Sequence, residues 1–138
     1  MEESLKENPK DVNALTLAYL GDAVFELEVR KRLFATGSHK VEKLHKRTTG
    51  IVNAASQSAY FGKLEPILTE EEAAVYHRGR NGKTLTAAKH QKISDYRRAT
   101  GFEAVFGYLF LKGDTERISE LMDICFSDIP VESNQAAE

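Results

Sequence analysis

The apolar residues near the start of the chain recur with the spacing of a helix that is buried on two sides. At 100° per residue they form two stripes on nearly opposite sides of a helix that begins at Asn8-Pro9 and ends near Phe34. The stripes are Leu17, Leu20, Val24 and Leu27 on one side and Leu15, Ala18, Phe25 and Val29 on the other. Asp22 falls within the second stripe, directly after Gly21. Because a buried carboxylate is costly without a partner, we expect Asp22 to meet a cation or hydrogen-bond donors.

A second apolar run surrounds one acid and one glycine, Glu103 and Gly107. These two residues are four positions apart and therefore share a helix face. Since glycine lets another backbone approach closely, the two helices are expected to cross so that Asp22 and Glu103 converge. Converging carboxylates repel each other unless a divalent cation lies between them. The alternative is that each acid caps a helix or pairs with an arginine such as Arg97 or Arg98.

The rest of the chain also has helical patterns, and no segment alternates as a strand would, so we predict an all-α domain. The predicted helices run over residues 8–34, 38–50, 51–62, 69–78, about 92–112 and 115–126. Their ends carry recognisable signals. Ser38 and Thr115 are predicted N-caps, Thr69 and Glu72 form a capping box, and Gly113 is a helix stop.

The composition bounds the size and class of the protein. With 138 residues, of which 41% are apolar and 29% charged, the chain is long enough for one domain with a single core. We expect residues 1–138 to form that domain, with residues 1–8 and 127–138 as flexible tails. The single cysteine, Cys125, is expected to be a buried structural thiol. No signal segment or membrane span is evident, which predicts a cytoplasmic protein.

The charged residues are distributed unevenly, although the formal net charge is only −2. From His77 to Arg98 there is one acid, Asp95, against seven basic residues: Arg78, Arg80, Lys83, Lys89, Lys92, Arg97 and Arg98. Residues 39–47 are also basic, whereas acids predominate from Asp114 onward. Such asymmetry in a small domain favours a basic face for nucleic acid, although solvated helix surfaces would give a similar pattern.

Two short motifs carry a resemblance to a known family. The segment Tyr19-Leu20-Gly21-Asp22-Ala23-Val24 resembles the Leu-Gly-Asp signature of the ribonuclease III endonuclease domain. The segment Glu103-Ala104-Val105-Phe106-Gly107 is similar to the second acidic element of that family. The segments 78–83 and 96–104 look like the bacterial Mini-ribonuclease III branch, which has no double-stranded-RNA-binding domain. The likeness extends from Pro9 to Phe126.

This resemblance implies a ribonuclease III endonuclease-domain-like helical bundle that acts as a homodimer. It implies a Mg²⁺-dependent endonuclease, with Mn²⁺ as a substitute, that cuts double-stranded RNA and leaves 5′-phosphate ends. The implied cellular task is maturation of 23S ribosomal RNA in the bacterial cytoplasm, and a ribosomal protein is a further candidate partner.

The family pattern carries only two of its four metal-facing acids onto this chain. Asp22 and Glu103 match, and we take them as the predicted catalytic and metal-binding residues. Two further acids are replaced by Ala18 and Thr100. Mg²⁺ keeps several of its waters and needs few direct carboxylates, so a site with two acids is physically sound. Thr100 is a candidate for orienting a metal-bound water, and simple packing on a helix face is the alternative.

The basic segment supplies the predicted RNA-binding residues: Arg78, Arg80, Lys83, Lys89, Arg97 and Arg98. Duplex RNA is recognised mainly by its shape and phosphates, which suits arginine and lysine. Two rival functions remain open. A catalytically weak or inactive ribonuclease-III-like scaffold would bind RNA or ribosomes, and a helical protein-interaction module would pair the acids with arginines.

Overall fold

A computed structural model describes residues 8–37, 39–82 and 92–127 and places them in six α-helices. The helices are α1 (Ala14–Ala35), α2 (Val41–Ile51), α3 (Ala54–Leu64), α4 (Glu70–Arg80), α5 (Ile93–Lys112) and α6 (Thr115–Phe126). These ranges contain no strand, so the all-α prediction is confirmed. None of the described helices is both long and apolar enough to cross a membrane. The predicted tails fall outside the described ranges, except for Asn8 and Ser127.

The predicted start of the first helix is wrong, and the break predicted at Gly50 is placed slightly too early. The first helix begins at Ala14, because the Asn13 side chain accepts a hydrogen bond from the Leu15 N–H (2.8 Å). The preceding Pro9–Asp11 forms only a short 3-10 turn. Helix α2 continues through Gly50, and the break falls just before α3, whose N-cap is Asn53.

The other helix signals are mostly as predicted. Thr69 and Glu72 form both hydrogen bonds of a capping box, at 3.1 and 2.9 Å. Gly113 ends α5 in the left-handed conformation, with φ of 76°. The cap of α6 is Asp114 rather than Thr115, because the Asp114 carboxylate accepts the Arg117 N–H. The N-cap of α2 is Lys40 rather than the predicted Ser38, which lies outside the described residues.

Helix α5 is the centre of the bundle and packs against α1, α3, α4 and α6. From α1 a single stripe is buried: Ala14, Leu17, Ala18, Gly21, Phe25, Val29 and Leu33. The prediction of a second buried stripe is wrong, since Leu20 and Val24 are half-buried and Leu27 is 61% exposed. In the isolated chain α1 is therefore covered on one side only. Cys125 is buried in the core, as predicted.

A buried ion pair joins α4 to α6. The Arg117 guanidinium donates to both carboxylate oxygens of Glu72, each at 2.8 Å, and Glu72 is buried. The same guanidinium donates to the Ile67 carbonyl at 2.8 Å. A bidentate pair of this kind fixes the relative orientation of two helices.

A second polar network holds the N-terminal 3-10 turn against α4 and α5. The carboxylate of Glu71 accepts hydrogen bonds from Lys10 (2.8 Å), Tyr108 (2.9 Å) and Lys112 (3.3 Å). These three donors lower the pKa of Glu71 from 4.5 to about 2, and the Lys10 hydrogen bond is the largest cause.

Replacement of Glu71 by Gln is expected to change how stability depends on acid. Because the folded-state pKa lies below the ordinary value, the ionised group stabilises the fold above pH 4.5 and loses this effect as the pH falls toward about 2. Thermal unfolding of the wild type and of Glu71→Gln should therefore differ at pH 7 and converge near pH 2. Glu70→Gln, an adjacent carboxylate outside the network, is the control. Equal midpoints at pH 7 for Glu71→Gln and the wild type would contradict the prediction.

Candidate functional site

The site is built where α1 crosses α5 with the two backbones in direct contact. A Cβ atom on Gly21 would overlap the carbonyl oxygen of Glu103 and lie 2.8 Å from the Gly107 nitrogen. A Cβ atom on Gly107 would overlap the carbonyl oxygen of Leu17. Each helix therefore has a glycine at the contact point, which permits the close approach that the sequence predicts.

This crossing brings Asp22 and Glu103 together. Asp22 follows Gly21 on α1, and its carboxyl group lies within hydrogen-bonding distance of the Glu103 carboxyl group on α5. Burial raises the pKa of Glu103 to about 8, with further increases from the hydrogen bond to Asp22 and from the negative charge of Asp22. A hydrogen bond from Gln57 acts in the opposite direction.

The burial of the two acids differs from the prediction for one of them. Glu103 is half-buried, but Asp22 is exposed. Asp22 sits at the edge of the buried stripe of α1, and the neighbouring helices do not cover it. The result is an open site in which one carboxylate faces solvent and the other is held by the core.

The side chains that shift the pKa of Glu103 do not include an arginine. They are Asp22 and Gln57, whereas Arg97 and Arg98 of the same helix are not among them. The pairing of Glu103 with a neighbouring arginine, the alternative interpretation of the sequence, is therefore not what the structure contains.

The donor set fits a small divalent cation. Two carboxylates in contact disfavour double ionisation, and a cation between them removes that penalty. Carboxylate oxygens are ligands that Mg²⁺ accepts, and Mg²⁺ usually keeps several of its waters. In the ranges 8–37, 39–82 and 92–127, no group of three or more His, Cys, Asp or Glu side chains is arranged to hold a metal. The site therefore offers two carboxylates per chain.

The two positions at which the family pattern would have acids are buried and uncharged. Ala18 lies in the core stripe of α1. Thr100 is buried, and its hydroxyl donates to the Tyr96 carbonyl at 2.9 Å within α5. The Thr100 hydroxyl therefore donates its hydrogen bond within α5, and it can interact with a water only as an acceptor.

The predicted RNA-binding residues separate into two groups around α4. The charges of Arg80 and Arg98 both act on the hydroxyl of Tyr76: burial raises the pKa of this hydroxyl, and the two arginines act in the opposite direction. The Tyr76 ring is itself buried and stacks on Phe61, with centroids 3.7 Å apart. Arg97 is exposed on α5. We refer to Arg80 of α4 and Arg98 of α5 as the basic cluster.

Arg78 lies on the other side of α4. It lines a cavity of about 460 Å³ together with Lys10, Glu71 and Tyr108. Residues two positions apart on a helix point in nearly opposite directions, so Arg78 and Arg80 do not share a surface. Lys83 and Lys89, the remaining predicted RNA-binding residues, lie outside the described residues.

Gln57 is a site residue that the sequence does not reveal. Its side-chain amide donates to Glu103 Oε2 at 3.2 Å, across 46 positions of sequence. Gln57 lies in a helix of small residues and belongs to no recognisable motif. Only the packing of α3 against α5 places it beside the acids.

The sequence comparisons with known proteins agree on one family. The model of the ribonuclease III domain matches residues 15–114. The chain is 44% identical to Mini-ribonuclease 3 of Brevibacillus brevis, over 96% of this chain and 98% of that protein. It is 45% identical to Mini-ribonuclease 3 of Clostridium tetani, over 89% of this chain and 82% of that protein. A crystal structure of a Fusobacterium nucleatum protein superposes with a TM-score of 0.79 at 32% identity, covering 86% of this chain and 91% of that one.

Proposed function

The chain belongs to the ribonuclease III domain family, and from that premise we propose that it is a divalent-metal-dependent endoribonuclease that cuts double-stranded RNA. The observation that carries the proposal is the contact between the Asp22 and Glu103 carboxyl groups at the α1–α5 crossing. The proposed substrate is a precursor of 23S ribosomal RNA, cut to leave 5′-phosphate ends. Such a substrate would place the enzyme in the bacterial cytoplasm.

Asp22 and Glu103 would hold Mg²⁺, or Mn²⁺ in its place. When bound, the cation lowers the pKa of a coordinated water and neutralises charge that develops on the phosphate. Glu103 contributes a carboxylate whose position is set by the core, and Asp22 contributes one that solvent and substrate can reach. The Thr100 oxygen is proposed to orient a water near the acids.

The basic cluster of Arg80 and Arg98 supports the proposed RNA contact. Arg98 precedes Glu103 by five positions on α5, which corresponds to about 7.5 Å along the helix axis. Phosphates bound by Arg98 or by the exposed Arg97 would therefore lie within about two turns of Glu103 along the axis of α5. We propose that Arg78, Lys83 and Lys89 also contact RNA, with Arg78 doing so from the other side of α4.

Loss of the basic cluster is expected to weaken RNA binding in a salt-dependent way. Each phosphate contact that is removed should reduce the slope of log K against log salt concentration by about one. The double variant Arg80→Ala/Arg98→Ala should therefore show a slope lower by about two, measured by filter binding of duplex RNA in Ca²⁺. Arg78→Ala tests whether the other side of α4 also contributes to RNA binding. If the double variant has the wild-type slope, this cluster is not part of the RNA-binding surface.

The outer face of α1 supports the proposed homodimer. Tyr19 is 82% exposed and Leu27 61% exposed, and half-buried Leu20 and Val24 lie between them. Phe110 of α5 is exposed beside this face, where it shares a cavity with Val24 and Leu27. An apolar strip of this kind is typical of a protein interface. Two copies joined there would carry two acid pairs and two basic clusters onto one duplex.

Introduction of a charge on the outer face of α1 is expected to separate the proposed dimer. Leu27→Asp would bury a carboxylate in the interface and should produce monomers at micromolar concentration in sedimentation equilibrium. Ile67→Asp is a matched control, because Ile67 is also an exposed apolar residue but lies in the 3-10 turn before α4. A dimeric Leu27→Asp protein would show that the interface lies elsewhere. A monomeric wild type would contradict the dimer itself.

The proposed activity is tested with duplex and single-stranded RNA of the same sequence. We expect cleavage of the duplex in Mg²⁺, no cleavage in excess chelator, and products that a 5′-phosphate-dependent exonuclease degrades. Duplex binding without cleavage would instead favour the inactive scaffold, a reading supported by Ala18 and Thr100 in place of acids. No salt-sensitive binding of RNA would contradict both functions.

A further inference from the structure

Gln57 has a position that the first turn of α3 fixes closely. Asn53 caps this turn, accepting the Ser56 N–H at 2.9 Å through its side chain and the Gln57 N–H at 2.9 Å through its carbonyl. The Ser56 hydroxyl also donates to the Gly50 carbonyl at 3.2 Å, which ties the start of α3 to the end of α2. Gln57 itself is only 3% exposed. The backbone that carries the Gln57 side chain is therefore fixed in the interior of the protein.

The amide of Gln57 is directed at one acid of the pair. Its Nε2 donates to Glu103 Oε2 at 3.2 Å. A buried amide is costly unless it is hydrogen-bonded, and this contact supplies the bond. Glutamate has a long side chain, so an oriented carboxylate requires a partner that restricts its rotation.

We propose that Gln57 is a positioning residue that holds the Glu103 carboxylate in the orientation required for cation binding. The inference rests on the proposed metal site. With Ala18 and Thr100 supplying no carboxylates, the site depends on two acids, and the orientation of each one has a large effect on cation affinity. Groups that orient metal ligands typically change affinity by about 10- to 100-fold when they are removed.

The alternative is that Gln57 merely fills space between α3 and α5. The two roles are separated by Gln57→Met, which keeps the length of the side chain but removes the N–H donor. Gln57→Leu is a second variant without a donor, in case one of the two fails to fold. Ser58→Ala is the matched control, because Ser58 is the adjacent buried polar residue of α3. Asp22→Asn serves as the reference for loss of a proposed ligand.

The test is a titration of each full-length protein with Mn²⁺, in which electron paramagnetic resonance reports the free ion. We expect Gln57→Met to bind Mn²⁺ about 10-fold more weakly than the wild type, and Ser58→Ala to bind it equally well. Cleavage of duplex RNA by Gln57→Met should be slow at low Mn²⁺ and recover at high Mn²⁺, since the defect lies in cation affinity. A space-filling role would give no such recovery.

The titration distinguishes failure of the positioning role from failure of the proposed metal site. Wild-type Mn²⁺ affinity in Gln57→Met and Gln57→Leu would overturn the positioning role and leave the proposed function intact. Failure of the wild type to bind Mn²⁺, or unchanged binding in Asp22→Asn, would contradict the proposed metal site itself.

Discussion

Replacement of Asp22 by Asn, or of Glu103 by Gln, is expected to lower the rate of duplex RNA cleavage by at least about 10²- to 10³-fold. Under the proposed function these are the two carboxylates that hold the cation, and removal of one charged group that stabilises a transition state has effects of this size. The measurement is single-turnover cleavage in saturating Mg²⁺. The amide variants keep the shape of the side chains, remove the carboxylate charge and replace one acceptor oxygen by an NH₂ donor.

The stability of the same variants separates a functional role from a structural one. An amide removes the repulsion between two carboxyl groups in contact, so both variants should unfold at the wild-type temperature or above it. Glu26→Gln is a matched control, since Glu26 lies one turn after Asp22 on α1 and pairs with Arg30 at 2.6 Å. Near wild-type cleavage by Asp22→Asn, or equal losses in Glu26→Gln, would contradict the assignment of the site.

Introduction of a methyl group at the α1–α5 crossing is expected to destabilise the protein by about 3 kcal/mol. In Gly21→Ala the new Cβ would overlap the Glu103 carbonyl oxygen, and in Gly107→Ala it would overlap the Leu17 carbonyl oxygen. Both obstacles are backbone atoms of the facing helix, so the helices must move apart. The measurement is urea unfolding followed by circular dichroism.

Gly62→Ala provides the control for the crossing. Gly62 is also a helical glycine, in α3, but a Cβ there would have no atom within 4 Å. This variant should be more stable by up to about 1 kcal/mol, because alanine favours the helix. Separation of the helices would also move Asp22 from Glu103, so Gly21→Ala should lose Mn²⁺ affinity even where it remains folded. Equal stabilities for Gly21→Ala and Gly62→Ala would show that the close crossing is wrong.

The differences between the predicted and observed helices have local causes. The start of α1 was misplaced because Asn8-Pro9 and Asn13 both carry start signals, and the second one begins the longer helix. Gly50 lowers helix propensity without ending α2, since the Asn53 cap of α3 fixes the break instead. That Arg78 and Arg80 point to opposite sides of α4 follows from helical geometry and could have been predicted from the sequence. The residues that surround each arginine could not.

The amino-acid sequence was sufficient for features that depend on residues close together along the chain. The helical class, the capping box at Thr69, the stop at Gly113 and the glycine beside each acid are all of this kind, because helix spacing and caps act over three or four positions. Features that join distant segments of the chain could be identified only from the tertiary structure. The Gln57–Glu103 hydrogen bond, the Arg80–Arg98 cluster and the exposure of Asp22 depend on which helices pack together, and that choice is made by burial of the whole core rather than by any local pattern.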